Sequence, residues 1–309
     1  MAIALCFISL FEHGRWGSLV ETAIEADSLA PEDQLFVLMQ AGLYLATTRS
    51  PGAPEARICY ERAQPLCHSL NGHRLLCIAQ RSQFRYTLMT DKTSAAMHIA
   101  ERVYSLAREQ NDAALMLGAY SALSGTHLYL GDFESGRRYA MRGVQIWRSG
   151  NVQSYVEDFH TPAVGCLIYQ AMSEWHLGEI TSCHEKLGEA ISLAKGLSDT
   201  NGLALALNGA ANLAYFERNP TEVDRLASDL IELSTRQNFV HFLAVAVIYH
   251  GWARSVSDNT TEGIPWIEQG VRDFRATGTV LWLPYFLGLE AEALYLARPR
   301  LRPARCRGI

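Results

Sequence analysis

Residues 128–147 read LYLGDFESGRRYAMRGVQIW, and the reading of this stretch decides the fold. One apolar segment ends in the turn Leu130-Gly131-Asp132, and a second segment starts at the aromatic Phe133. Gly136 and Gly143 stand seven residues apart on the second segment, on the face where a neighbouring helix has to come close. The stretch is one helix–turn–helix unit, and the rest of the chain repeats it.

Working outward, a small residue recurs seven positions before each turn: Gly42, Gln83, Ser124, Ala171, Ala211, Gly251 and Ala291. The intervals are 41, 41, 47, 40, 40 and 40 residues, and only Gln83 is not Gly, Ala or Ser. Two antiparallel helices packed about 8–10 Å apart tolerate little more than a methyl group where they cross, so a fixed phase of small residues marks one crossing per repeat. Turns fall in the same phase, at 49–50, 90–91, 131–132, 178–179, 218–219 and 258–259, and a half-copy precedes them at Gly14-Arg15-Trp16. Strand signals are nearly absent, and apolar residues recur at i, i+3, i+4 and i+7.

The spacing predicts helix pairs 32–48 with 54–70, 74–89 with 93–109, 113–130 with 133–148, 162–177 with 180–196, 200–217 with 221–237 and 240–256 with 261–277, followed by 281–297 alone. Thr221-Glu222 and Thr261-Glu262 place a capping hydroxyl and an acid at two helix starts. The fold expected is all-α: a right-handed superhelical solenoid of antiparallel helix pairs with a period of about 40 residues over 1–297. The one 47-residue interval marks an insertion at 149–161, and residues 298–309 form an Arg- and Pro-rich tail.

Composition narrows the function classes. Apolar residues make up 49% of the 309, enough for a packed core, and charged residues 19%. The net charge of −5 gives no reason to invoke nucleic acid or a membrane surface. The tail holds five of the 27 basic groups, so residues 1–297 carry 22 against 32 acids, a balance of −10. The seven cysteines are scattered, without CxxC or Cys/His spacing, and read as buried free thiols in a reducing cytoplasm. The opening MAIALCFISLF is too short to span a membrane and lacks the basic start of a signal peptide. It reads as a core helix, a remnant of a longer parent.

No GxxxxGK[ST], GxGxxG or HExxH motif occurs, and His184-Glu185 lacks a second histidine. Asn259-Thr260-Thr261 is a sequon at a repeat turn. Glu157, Asp158 and His160 could form an acid/base or metal cluster, but a hydrated loop running into a Pro162 helix start is the preferred reading. Arg137, Arg138, Arg142 and Arg148 form a basic stripe read as a solvated outer face. Neither catalysis, nor a metal, nor a cofactor is expected.

The chain resembles the tetratricopeptide family, carried by LGAYSALSGTHLYLGDFESGRRYAMRGVQIW, although the period exceeds the usual 34 residues. More closely, it is similar to the C-terminal helical-repeat region of large bacterial signalling ATPases, some fused to adenylate/guanylate cyclase or DNA-binding domains. YERAQPLCHSLNG, HTPAVGCLIYQAMSEWHLGE and EGIPWIEQGVRDFRATGTVLWLPYFLGLEAEAL carry that likeness over 29–297. His160-Thr161-Pro162-Ala163-Val164 departs from the family's His-Asp-Pro-Gly-Val, and the tail stands where further helices would follow. The ATP-binding and cyclase parts are not in this chain.

The resemblance implies a protein-interaction scaffold or sensor arm, cytoplasmic, with a protein or peptide partner. In a tetratricopeptide superhelix, positions three before and one, four and five after the small residue line the concave side. Around Ala171 and Ala211 these are Ile168, Met172, Trp175 and His176, then Asn208, Asn212, Tyr215 and Phe216. Asn208 and Asn212 lie one turn apart, where two amides can clamp an extended backbone, and His176 is expected beside them. The candidate groove is therefore Met172, Trp175, His176, Asn208, Asn212 and Tyr215, with packing between repeats as the competing role for the aromatics. The apolar helix 281–297 has no following partner, so self-association through that end is expected. A small-molecule or peptide-sensing array, an enzyme and a truncated gene fragment stay open as other readings.

Overall fold

A computed structural model describes residues 29–90, 92–150, 152, 158–257 and 260–297. They form thirteen helices and no strand. In chain order these are α1 (Pro31–Thr48), α2 (Pro54–Ser69), α3 (His73–Met89), α4 (Thr93–Glu109), α5 (Ala113–Tyr129), α6 (Phe133–Arg148), α7 (Pro162–His176), α8 (Ile180–Gly196), α9 (Thr200–Phe216), α10 (Pro220–Gln237), α11 (Val240–Val256), α12 (Thr260–Ala276) and α13 (Leu283–Ala297). The half-copy at 14–16, the sequon Asn259, Glu157 and the tail lie outside the described residues. Among the described helices none is long and apolar enough to cross a membrane.

The two helices of each pair bury different amounts, and this difference builds the solenoid. α7 buries twelve of its fifteen residues, whereas α6 buries only Gly136, Ala140, Gly143 and Val144 out of sixteen. α4 and α8 likewise bury four residues each, on single stripes, among them Ala96, Ala100 and Val103 and then Cys183, Leu187 and Ala190. A helix with one apolar stripe packs on one side only, and a helix apolar nearly all round needs neighbours on several sides. Each helix accordingly packs on the next in sequence, and α3, α5, α7, α9, α11 and α13 also pack in series. These first helices make an inner wall, which curves away from the more widely spaced second helices.

Small residues sit at the crossings. Ser124, Ala171 and Ala211 are fully buried, and Gln83 is accommodated by a hydrogen bond from Gln64 Nε2 (2.8 Å). At Gly251 the approach is backbone to backbone: a Cβ there would lie 2.7 Å from the Gly263 carbonyl oxygen and 2.9 Å from Ile267 N. Ala291, by contrast, is exposed, and Leu294, Tyr295 and Leu296 beside it are 47%, 71% and 41% exposed.

Left-handed residues Asn71, Asn111, Gly131, Gly178, Ser198, Arg218, Asn238 and Gly278 punctuate the turns. Asp112, Asp132, Asp199 and Asn219 then cap the helices that follow. Asn219, through Glu222 N, caps α10 in place of the expected Thr221, because Pro220 already occupies the first helical turn. Cys59, Cys67, Cys77, Cys166 and Cys183 are buried and free, and burial pushes their thiols up to about 11 or 12.

The curvature brings the two ends of the array together. The backbone N–H groups of Val280 and Leu281 donate to the Met89 carbonyl at 2.8 and 3.2 Å. Ser50 and Thr279 hydroxyls meet at 2.8 Å, and Trp282 packs edge-on against Tyr129 at 5.7 Å. Thus the turn before α13 docks on α3, α5 and the α1–α2 turn, and buried residues of α1–α3 and of α9–α13 belong to one apolar cluster with Phe159.

If close approach at the small positions sets the helix spacing, Gly251→Ala should destabilise the chain by about 1–3 kcal/mol, since neither backbone can give way. Urea unfolding monitored by helical circular dichroism checks this.

Candidate functional site

Between the inner wall and the closing turn lies a cavity of about 80 Å³ in which a water-sized molecule can be centred. At roughly 10–15 Å³ per water this is space for several waters or a small ligand group. Much of the wall is apolar or aromatic, contributed by Phe84 and Leu88 of α3, Leu128 and Tyr129 of α5, and Phe242 and Val245 of α11.

Three of the six groove residues expected from the sequence, Met172, Asn208 and Asn212, line this cavity. Asn212 is buried and donates through Nδ2 to the Tyr249 hydroxyl at 3.2 Å. The carbonyl oxygens of Asn208 and Asn212 are buried without a hydrogen-bond partner. Unpartnered buried amide oxygens are uncommon in folded chains and costly, because each has given up water.

The other three line a different place. His176 stacks on Phe133 at 4.2 Å and meets Phe216 edge-on, so it belongs to the seam between neighbouring pairs and not beside the asparagines. Trp175 packs on Phe216 at 4.7 Å, and Tyr215 packs on Trp252 and Tyr285 at 4.7 and 5.3 Å. Tyr215, Arg218 and Trp252 all reach Glu292 on α13, which fastens the last helix to the inner wall.

The insertion differs from the hydrated loop expected of it. Asp158 forms a buried ion pair with Arg81 of α3, the two side chains only 4% and 6% exposed. Gly118 of α5 makes room for it, since a Cβ there would overlap the Arg81 guanidinium. Phe159 is buried under Arg85, whose guanidinium carbon lies 5.2 Å from the ring centre. Thr161 N donates to Asp199 Oδ2 at 2.7 Å, while the other Asp199 oxygen caps α9. Residues 158–161 are therefore strapped across the concave face, from α3 to the start of α9.

Two histidines face this cavity in the neutral state. Burial pulls His160 down to about 4, with Asp199 opposing and the cations Arg85 and Arg81 assisting. Burial alone pulls His241 to about 4, and its Nδ1 stands 3.5 Å from Thr279 Oγ1 in the closing seam. Burial likewise raises the phenols of Tyr129, Tyr169 and Tyr249, so all three remain protonated hydrogen-bond donors. Among the described residues, no group of three or more His, Cys, Asp and Glu converges to hold a metal ion.

The repeat frame held a signal for part of this wall. Phe84 and Leu88, then Leu128 and Tyr129, occupy the same offsets from Gln83 and Ser124 that pointed to Asn212 and its neighbours. Arg85, His160 and His241 lie off those offsets.

The outer surface carries a second, more open depression along α6, formed by Arg137, Arg138, Arg142 and Arg148 with Lys186 of α8. Arg137 pairs with Glu134 and Glu179, and Arg148 with Glu189.

Comparison with known proteins bears on the fold. No protein-family model matches the sequence, and no curated protein matches it. Among solved structures, the chain is similar to a Rap protein complexed with Competence and Sporulation Factor, at 14% identity and a TM-score of 0.57, over 92% of this chain and 84% of that one. BtubC (BKLC) from P. vanneervenii aligns at 14% identity over 80% of this chain and 92% of that one, with a TM-score of 0.47. The Rap likeness supports a helical-repeat array.

Two outcomes follow from this geometry. Asp158→Ala leaves Arg81 buried and unpaired and should cost roughly 3–5 kcal/mol in urea unfolding, whereas replacing both partners with leucine should restore much of the loss. For the histidines, the unfolded chain takes up protons near pH 6.5 and the folded chain only near 4. Stability should therefore fall as pH drops from about 6.5 towards 4, and His241→Phe should flatten that slope in melting temperatures measured across the range.

Proposed function

We propose that the chain is a binding module that takes a protein partner as an extended peptide segment, or a comparably small ligand, on its concave face. The observation that carries this reading is the pair of buried, unpartnered carbonyl oxygens of Asn208 and Asn212 on the cavity wall. Extended backbone offers N–H donors at the spacing that two amides one helical turn apart can meet, and a folded helix does not. The enclosure by residues 158–161 and by the turn before α13 favours a short segment over a folded domain. The Rap structure is an array of like fold described as complexed with Competence and Sporulation Factor, which supports a role in holding a partner.

On this reading the chain is not an enzyme. It serves in the cytoplasm as the sensor or scaffold arm of a bacterial signalling ATPase, cyclase or transcriptional regulator whose catalytic domains are elsewhere, in keeping with the family it resembles. The exposed Leu294, Tyr295 and Leu296 make self-association through α13 part of the same proposal.

The test is selection of a random pentapeptide library on the immobilised chain, followed by calorimetry of the recovered peptides. Asn208→Ala with Asn212→Ala should weaken them roughly tenfold or more, at about 1 kcal/mol per lost hydrogen bond, with the helical spectrum unchanged. Unchanged affinity in a folded double variant would assign the asparagines to packing.

A further inference from the structure

Among the described residues, no carboxylate pairs with the guanidinium of Arg85. Its side chain is part-buried and lines both the main cavity and the smaller one beside it, and desolvation lowers the titration of its guanidinium. Of its five N–H donors, the described contacts use one, from Nη2 to Ser82 Oγ at 2.9 Å. Phe159 covers one face of the guanidinium, and Tyr60 and Tyr169 lie near it as neutral phenols, their titration pushed up to about 12 by burial. Its charged neighbour Arg81 is already matched by Asp158, and His160 is neutral. No Asp or Glu lines the main cavity among the described residues, and Arg85 is its one lysine or arginine.

A buried guanidinium is stable only where an anion or several acceptors meet it. Among the described residues the cavity therefore holds one positive charge that no carboxylate matches, in a wall otherwise of apolar and aromatic side chains with the amides of Asn208 and Asn212. We propose that Arg85 is the anchor for a carboxylate on a small, otherwise apolar ligand. That carboxylate belongs either to a free aliphatic or aromatic acid or to the C-terminus of a bound peptide. One guanidinium balances a monoanion, so a carboxylate fits the wall better than a phosphate dianion, which would bring a second, unmatched charge into it. The inference rests on the concave-face reading above and adds the charge that its ligand carries.

The test uses the full chain, with 4-phenylbutyrate against its neutral amide as one pair of probes. Library-selected pentapeptides with free and amidated C-termini form the second pair. The acid should bind roughly ten- to a hundredfold more tightly than the amide in at least one pair, and the pair that shows it identifies the source. Arg85→Met should erase that preference while melting at or above the temperature of the unaltered chain, since it removes an uncompensated buried charge. Three results would overturn the assignment: equal binding of acid and amide in both pairs, a melting temperature well below the unaltered chain in Arg85→Met, or a gain in acid affinity in Glu157→Gln, which would make Glu157 the counter-charge. Peptides that bind and respond to the asparagine double variant but ignore C-terminal amidation, with no response from the phenylbutyrate pair, would remove the anion and leave the groove. Failure of every peptide and of both phenylbutyrate probes to bind would remove both.

Discussion

The helices of this chain cannot bury their apolar faces in isolated pairs, and the structure follows from how that constraint is met. The first helix of each pair is apolar nearly all round, so it has to be enclosed by its own partner and by the first helices before and after it. That enclosure is possible only where backbones pass closely, which is why Gly251, Ser124, Ala171 and Ala211 recur at one phase. Second helices with a single buried stripe impose no such demand and spread outward. A close inner series and an open outer one produce curvature, and sufficient curvature carries the turn before α13 onto Met89 and Ser50.

Closure changes what the concave face can be. An open solenoid offers a long wet groove, whereas this one is crossed by residues 158–161 and capped by the 277–282 turn, leaving a confined cavity. In such a space, water no longer compensates polar groups freely. The ion pair of Arg81 with Asp158 is matched near it, while among the described residues the amide oxygens of Asn208 and Asn212 accept no hydrogen bond and the guanidinium of Arg85 meets no carboxylate. Groups left in that state add nothing to folding and cost desolvation, and that cost is what the proposed ligand would offset.

The repeat architecture was legible in the sequence because it is local. Helix starts and ends read from the spacing fall within two residues of those observed, the largest difference being at α13, where 281–282 serve the closing turn instead of a helix. The same periodicity fixes Asn208 and Asn212 on one side of their helix whatever the curvature, and both line the cavity. The closure was not legible, because it depends on small rotations accumulated over six repeats and joins residues 229 apart. The role of the insertion was hidden for a similar reason. Asp158 meets Arg81 across 77 residues with no pattern to mark the pair, and a run of acid, aromatic and histidine in a broken repeat reads equally well as a solvated loop. His176 was expected beside the asparagines, but its ring stacks on Phe133 and meets Phe216 in the seam between pairs, a contact with residues 43 and 40 positions away that the repeat pattern does not mark.

The central claim is that the closed concave face, and not the basic outer surface of α6, receives the ligand. A crystal structure of the chain with a library-selected peptide tests it most directly. The account predicts density between the Asn208–Asn212 wall and Arg85, with both amide oxygens accepting hydrogen bonds from the ligand. Density lying instead along Arg138 and Arg142, with the cavity unchanged, would contradict it.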